Sequence, residues 1–185
     1  MITLKQERIT SQLISRIANA CLGEIVDHEM ILNEAGKMID KQWNLLPIRF
    51  PTIELDAYQV MPNHSHGILV IVGAAFMAAP SLVVARVTEK KNVHENGADM
   101  LRDPAPTMKP TLGDIIGAFK LVTTNEYIKG VDNNNWPRFY QRLWQRNYYE
   151  NVIRDEADLD RIRDYIQSNP ANWDEDEANP NLRKP

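Results

Sequence analysis

The sequence predicts an α+β protein, in which a ferredoxin-like antiparallel sheet carries helices packed on one face. Three observations support this class: short runs with strand periodicity, longer runs with helical periodicity, and an order in which the two alternate along the chain. The 185 residues suit one domain, and 43 % of them are hydrophobic and 25 % charged. This composition excludes a mostly disordered chain.

The N-terminal segment, residues 1–22, predicts a helix. Its apolar residues recur every four positions, at Ile9, Leu13, Ile17 and Cys21. The next residues, 23–32, have the pattern of two short strands joined by a turn at Asp27 and His28. The chain therefore begins with an amphipathic helix followed by a small hairpin.

Residues 33–72 predict one helix and two strands. Asn33 can cap a helix that ends before Pro47. Residues 53–58 alternate between apolar and polar side chains, which is the period of a half-buried strand. A second and more apolar strand is predicted at residues 68–72.

The sequence pattern of residues 73–169 predicts an insertion, two helices and a strand. Residues 73–110 combine small residues, charges and prolines, which indicates a flexible insertion. The capping box of residues 111–114 opens a helix. A strand is predicted within residues 144–153, and Asp155 caps a final helix that ends at Asn169.

These elements predict one main domain, residues 23–173, between an atypical N-terminal segment and an acidic tail at 174–185. The longest apolar stretch, residues 67–79, is shorter than the roughly 18 to 20 residues of a membrane span. The first residues are charged and lack the apolar core of a secretory signal. A single cysteine cannot form an internal disulfide. We therefore expect a cytoplasmic protein with no membrane partner.

The strongest chemical signal is the pair His64 and His66. Side chains two residues apart on a strand lie on the same face, so both imidazoles would point the same way. Two such imidazoles can bind one divalent ion and leave positions for another ligand and a substrate oxygen. The alternative is a pair of surface histidines without a metal.

A second signal is the pair Tyr165 and Asn169, which lie one turn apart on the predicted last helix. Asn169 offers a carbonyl oxygen as a metal ligand, and Tyr165 offers a hydroxyl that can attack phosphorus. A phenol with a pKa of about 10 is a weak nucleophile, and a metal-polarised phosphate compensates for this weakness. The alternative is an interfacial tyrosine above an asparagine that caps the helix.

A third signal is the segment of residues 136–149, which holds Arg138, Arg142 and Arg146, no acidic residue, and six aromatic residues. The net charge of −4 argues mildly against a nucleic-acid partner, but a local basic segment outweighs this average. Arginines would bind phosphates while aromatic rings stack on unpaired bases. The alternative is an aromatic core with solvated arginines, and we expect some of each.

Other catalytic patterns are missing from the sequence. It contains no phosphate-binding P-loop, no Rossmann glycine pattern, no G-x-S-x-G string and no cysteine pattern for zinc. Nucleotide-driven chemistry and serine-hydrolase chemistry therefore have no support from the sequence.

Four strings together resemble the single-tyrosine HUH transposases, and especially their REP-associated tyrosine transposase branch. The strings are residues 60–67 (VMPNHSHG), 144–150 (WQRNYYE), 153–156 (IRDE) and 162–170 (IRDYIQSNP). Their order and spacing are those of the family, and the resemblance covers about residues 23–173. Four ordered strings are far more specific than the two histidines alone.

The resemblance implies a ferredoxin-like sheet on which the two histidines and the last helix build one site. His64 and His66 would bind Mg²⁺ or Mn²⁺, and Asn169 would complete the protein ligands. Tyr165 would attack a phosphate of single-stranded DNA and leave a 5′-phosphotyrosine link with a free 3′-hydroxyl. Reversal would rejoin strands, and hairpins formed by palindromic repeats would be the partner of the arginine segment. Family members include dimers, so the resemblance allows a homodimer, and nothing in the sequence selects this arrangement.

Two departures from the family pattern accompany the resemblance. Ser65 stands where the family usually has a bulky hydrophobic residue, which predicts looser packing behind the histidines. The family begins its sheet with a strand where residues 9–21 predict a helix, so one sheet edge is expected to lack its partner. This departure motivates an alternative, a non-catalytic hairpin-binding protein. A third reading is a metal-dependent phosphodiesterase that uses water as its nucleophile.

Overall fold

The computed structural model describes residues 7–14, 22–72, 110–146 and 148–182. The strands and helices are, in chain order, β1 (Glu7–Ile14), β2 (Gly23–Val26), β3 (Glu29–Leu32), α1 (Glu34–Asn44), α2 (Leu46–Arg49), β4 (Ile53–Val60), β5 (His64–Ile71), α3 (Leu112–Asn134), β6 (Tyr149–Ile153) and α4 (Glu156–Ser168). Two 3-10 turns follow, at Trp173–Glu175 and Pro180–Leu182. None of the helices in these ranges is long and apolar enough to cross a membrane.

Four strands form the main sheet in the order β4-β5-β1-β6, and β2 pairs with β3 in a separate hairpin. Every neighbouring pair of strands is antiparallel. The first of the four strands along the chain thus lies inside the sheet, between the third and the fourth, as in a ferredoxin-like sheet. The predicted α+β class with an antiparallel sheet is confirmed.

Helices cover both faces of this sheet. Leu69 of β5 belongs to the core that contains the buried residues of α1 and α3. Its neighbours Ile68 and Val70 point to the opposite face and pack with the buried residues of α4. The prediction that all helices share one face is therefore corrected for α4. The reason is that β5 is apolar on both sides, and residues 64–70 are all buried.

The strand β1 corrects the helix predicted for the N-terminal segment. Its backbone pairs with β5 from Glu7 to Ile14 and with β6 from Arg8 to Gln12. A helical repeat of apolar residues is a local signal, whereas pairing on both sides depends on strands far away in the sequence. The expected unpaired sheet edge at this position is thus wrong. Residues 15–21, which complete the predicted helix, lie outside the described residues.

Local signals fix the ends of the other elements. The side chain of Asn33 accepts a hydrogen bond from Gly36 N, and Thr111 and Asp114 form the predicted capping box. Asp155 caps α4 in the same way, through Asp158 N. The turn of the β2–β3 hairpin uses Asp27 and His28, at φ 49° and 67°. These predictions are confirmed.

Two strand predictions need new boundaries. The apolar strand predicted at 68–72 begins at His64, so both histidines belong to β5. The strand predicted within 144–153 begins at Tyr149 because Leu143 and Trp144 turn into the core against α3. The predicted insertion falls almost entirely on residues 73–109, which are not among the described residues.

Candidate active site

The start of strand β5 supplies the two histidines of the site. His64 and His66 lie on one face of this strand, and their Nε2 atoms are 2.8 Å apart. The two rings are almost perpendicular, with an angle of 88° between their planes. His64 is fully buried and His66 is 4 % exposed. The predicted pair of converging imidazoles is therefore present in the fold.

Burial controls the charge of these histidines. Loss of solvation lowers the pKa of His64 to about 4. The same effect, with the neighbouring His64 as a second cause, lowers the pKa of His66 to about 3. Both rings are thus neutral at physiological pH, and neutral imidazole is the form that binds metals.

The helix α4 brings Tyr165 to the histidines. Its buried residues Leu159, Ile162 and Ile166 pack against the same face of the sheet that carries the imidazoles. The ring of Tyr165 meets the ring of His66 edge to face, with centroids 5.4 Å apart. Tyr165 is 55 % exposed, so its side chain is accessible at the rim of the site.

Asn169 follows α4 as its C-terminal cap and is 4 % exposed. Its amide nitrogen donates a hydrogen bond to the carbonyl oxygen of Tyr165 at 3.2 Å. The side-chain carbonyl oxygen, the atom that would bind a metal, does not take part in that bond. Asn169 and Tyr165 therefore lie one turn apart, as predicted, and are linked through the backbone.

The salt bridge between Arg163 and Asp56 fixes α4 on the sheet. Arg163 donates from Nε to Asp56 Oδ1 at 2.9 Å and from Nη2 to Asp56 Oδ2 at 2.6 Å. Two parallel hydrogen bonds give this pair a defined orientation. The contact joins α4 to β4, and Arg163 lies two residues before Tyr165 on α4.

The C-terminal segment reaches the site, which the sequence does not predict. Asp176 Oδ2 lies 3.7 Å from His64 Nε2, and the ring of Trp173 lies 6.1 Å from that of His64. Ala178 O accepts a hydrogen bond from Asn63 at 2.7 Å. A run of four acidic residues is usually solvated, so no local signal points to this contact.

The predicted arginine segment is attached to α3. Tyr127 of α3 contacts Phe139 edge to face and donates a hydrogen bond to Pro137 O at 3.1 Å. Trp144 donates to Thr123 of the same helix at 2.8 Å. Since α3 covers the sheet face opposite to α4, the segment is built on the other side of the sheet from the histidines.

The side chains of this segment divide between core and surface. Trp144 is buried, and Trp136, Phe139 and Tyr148 pack partly against the core. Tyr140 and Tyr149 are 85 % and 71 % exposed. The three arginines, Arg138, Arg142 and Arg146, are exposed as well. The core part of the expectation is present in the fold, whereas DNA binding by the exposed side chains stays a prediction.

A metal would need ligands beyond the two histidines. Across residues 22–72, 110–146 and 148–182, no group of three or more His, Cys, Asp or Glu side chains is placed to hold an ion. The donors do fit a divalent cation in other respects, because two neutral imidazole nitrogens converge in a buried position. The described side chains therefore offer the two imidazoles, with no third His, Cys, Asp or Glu ligand beside them.

Comparisons with known proteins define the fold and the family. The fold resembles the solved structure of a REP-associated tyrosine transposase bound to a REP hairpin, with a TM-score of 0.52, 16 % identity, and coverage of 93 % of this chain and 70 % of that chain. A proposed transposase from Deinococcus radiodurans matches at a TM-score of 0.40 and 13 % identity, over 90 % of this chain and 92 % of that chain. The first similarity defines the fold class, and the second is too weak to add to it.

The sequence itself has a closer relative in Haemophilus influenzae. That protein, which is uncharacterized, is 32 % identical over 161 residues, or 85 % of this chain and 77 % of the relative. The chain belongs to the family of this Haemophilus influenzae protein. No family model matches the sequence.

Proposed function

We propose that the protein is a metal-dependent strand transferase that nicks and rejoins single-stranded or hairpin DNA through Tyr165. The observation that carries the proposal is the meeting of three side chains. The Nε2 atoms of His64 and His66 converge at 2.8 Å, and the ring of Tyr165 lies against His66. A phenol beside a pair of metal-type ligands has the composition needed for attack on a phosphodiester.

His64, His66 and Asn169 would hold the ion, Mg²⁺ or Mn²⁺. When bound, it would supply charge neutralisation at the scissile phosphate. The sheet and α4 would hold these residues by packing, since both histidines and Asn169 are at most 4 % exposed. Tyr165 is more than half exposed, which leaves room for a DNA strand at the rim.

The covalent step transfers the phosphate to the protein. The Tyr165 oxygen forms a bond to phosphorus and gives up its proton, and the bond from phosphorus to the 3′-oxygen breaks. That oxygen takes a proton and leaves as a 3′-hydroxyl, while the 5′ end of the other fragment stays on the tyrosine. Attack by a second 3′-hydroxyl reverses the step and joins strands, so no external energy source is needed.

DNA binding is proposed for the exposed arginine segment. Arg138, Arg142 and Arg146 would neutralise phosphates, and Tyr140 would stack on an unpaired base. These side chains are exposed. The salt bridges among the described residues do not involve the three arginines. The related fold was solved with a REP hairpin bound, which supports a hairpin as the partner.

The test is a trapping assay with the two ends of the DNA labelled separately. Hairpin oligonucleotides of varied sequence are incubated with the protein and Mn²⁺, then resolved on a denaturing gel. Only the fragment on the 3′ side of the nick should migrate with the protein, so the 3′ label shifts and the 5′ label does not. The adduct should disappear with Tyr165→Phe and with EDTA, and persist with Tyr149→Phe.

Two other functions would give different results in the same assay. A phosphodiesterase that uses water would cleave in Mn²⁺ without an adduct and would tolerate Tyr165→Phe. A non-catalytic hairpin-binding protein would bind members of the pool and neither cleave nor form an adduct, with or without EDTA. The second reading rested on a missing first strand, and β1 occupies that position in the sheet.

A further inference from the structure

Asn63 lies between the C-terminal segment and the first histidine of the site. Its Nδ2 atom is 2.7 Å from the carbonyl oxygen of Ala178. Its Oδ1 atom is 2.8 Å from His64 Nδ1. One amide side chain therefore joins two parts of the chain that are 115 positions apart.

The chemistry of these contacts leaves one arrangement of protons. A backbone carbonyl oxygen can only accept a hydrogen bond, so the Asn63 atom that faces Ala178 must be the amide nitrogen. The other terminal atom, which faces His64, is then the oxygen and can also only accept. His64 Nδ1 must therefore carry a proton and donate it to Asn63.

The position of this proton determines the other nitrogen of the ring. A neutral imidazole has one N–H, so a proton on Nδ1 leaves Nε2 with a lone pair. That lone pair faces His66 Nε2 at 2.8 Å, and in the metal-free protein His66 can donate its own Nε2–H to it. The ring orientation is thus set from behind by Asn63 and from the front by His66.

We infer that Asn63 is a positioning residue, which keeps the proton of His64 on Nδ1 and so presents the Nε2 lone pair to the site. Ala178 contributes to this positioning, because its carbonyl oxygen accepts from the Asn63 amide nitrogen and so sets the orientation of the amide. The consequence for a metal rests on the proposed function. Hydrogen-bond partners behind a histidine ligand commonly change metal affinity by about 10- to 100-fold.

The first measurement is the tautomer of His64 in the metal-free protein. The full chain is labelled with ¹⁵N-histidine, treated with EDTA, and observed by two-bond ¹H–¹⁵N correlation at neutral pH. His64→Gln identifies the signals of this residue among the four histidines. We expect a protonated Nδ1 and an unprotonated Nε2. A protonated Nε2 at His64 in the wild-type protein would overturn the inference, whatever the variants do.

Variants of Asn63 separate positioning from a general role in folding. Asn63→Ala removes the acceptor, and His64 should then populate the Nε2–H tautomer. Asn63→Asp keeps an acceptor beside Nδ1 and should keep the wild-type tautomer. If Asn63→Ala leaves the proton on Nδ1 in a folded protein, another group holds the ring and the inference is wrong.

Titration with Mn²⁺, followed by calorimetry, gives the second readout. Asn63→Ala should weaken binding by about 10- to 100-fold relative to wild type, and Asn63→Asp should recover most of this loss. A wild-type protein with the expected tautomer that binds no Mn²⁺ would contradict the proposed function and leave the role of Asn63 in place. The two ideas can therefore fail separately.

Discussion

The indole ring of Trp43 lies flat against the phenol ring of Tyr58, with the ring centroids 4.4 Å apart and 7° between the planes. This stack covers Gly67 on the face of β5 opposite to the histidines. A Cβ atom at Gly67 would lie 2.4 Å from Trp43 Cζ2 and 2.9 Å from Tyr58 Cδ2. The packing behind the site is therefore close at Gly67, one residue beyond His66.

Gly67→Ala should destabilise the protein because the added methyl group has no space beside the stacked rings. Forcing an extra carbon into a packed core typically costs about 1 to 3 kcal/mol. Urea unfolding followed by tryptophan fluorescence measures this loss. Gly117→Ala is the matched control, since it lies within α3 and, apart from the backbone of its own helix, no described residue comes within 4 Å of its Cβ position. It should stabilise the protein by about 0.5 to 1 kcal/mol. Equal effects of the two substitutions would contradict the packing described for Gly67.

Arg163→Ala should loosen the attachment of α4 to the sheet. The bidentate pair with Asp56 is partly exposed, at 34 % and 20 % of the two side chains, so we expect a loss of about 1 kcal/mol. The variant should also reduce adduct formation, because Tyr165 lies two residues away on the same helix. Arg161→Ala, which removes an exposed pair with Asp158 within α4, should change neither quantity. A similar loss of stability in both variants would show that charge on α4, not the contact with β4, is responsible.

The metal-free protein should lose stability as the pH falls below about 6.5. An unfolded histidine takes up a proton near its ordinary pKa, whereas burial lowers the pKa of His64 to about 4 and that of His66 to about 3. Between these values the unfolded state binds more protons, so the free energy of unfolding decreases with decreasing pH, by up to about 1.4 kcal/mol per pH unit for each histidine. Above about pH 6.5 both states are neutral at these rings, and they add no pH dependence.

Urea unfolding in EDTA, from about pH 7.5 to 4.5, measures this slope. His66→Gln removes one buried imidazole. The slope of unfolding free energy against pH should then be smaller by up to about 1.4 kcal/mol per pH unit, the contribution of one proton. Asp176 raises the pKa of His66 against the effect of burial, so its presence makes the expected difference between the two slopes smaller. An unchanged slope in the variant would mean that His66 titrates normally in the folded protein.

The affinity for a DNA hairpin and its salt dependence should distinguish the role of the arginines from that of Tyr140. Arg142→Gln should lower the slope of log affinity against log salt by roughly 0.7 to 0.9, which is the share of one phosphate contact. Tyr140→Ala should weaken binding by about 1 to 3 kcal/mol with little change in that slope, because stacking releases no counterion. Lys37→Gln on α1 is the control and should leave both values unchanged. If Arg142→Gln behaves like Lys37→Gln, Arg142 does not contact the phosphate backbone.

The sequence predicts those parts of the fold that depend on local chemistry. Asn33 and Asp155 cap their helices because a short polar side chain accepts a hydrogen bond from the first turn. His64 and His66 share a face because strand side chains alternate. In each of these cases, the residues that interact lie within a few positions of one another.

Contacts between distant segments were not predictable in the same way. The strand β1 has apolar residues at helical spacing, and it becomes a strand through pairing with residues 64–71 and 149–153. Asp176 belongs to an acidic run that looks solvated, and Ala178 directly follows that run, yet these two residues lie against His64 and Asn63. One sequence does not reveal such partners, because their interaction depends on the whole fold.

The central position of β1 also sets an order for synthesis on the ribosome. Among the described elements this strand is synthesised first, but its partner β5 follows after three further strands and two helices, and β6 comes only after α3. Until then the growing chain holds an unpaired strand, which is prone to wrong pairing. Because α4 follows β6, translation that stops after β5 and before α4 yields a fragment with both histidines and without Tyr165. Such a fragment would lack the nucleophile of the proposed reaction.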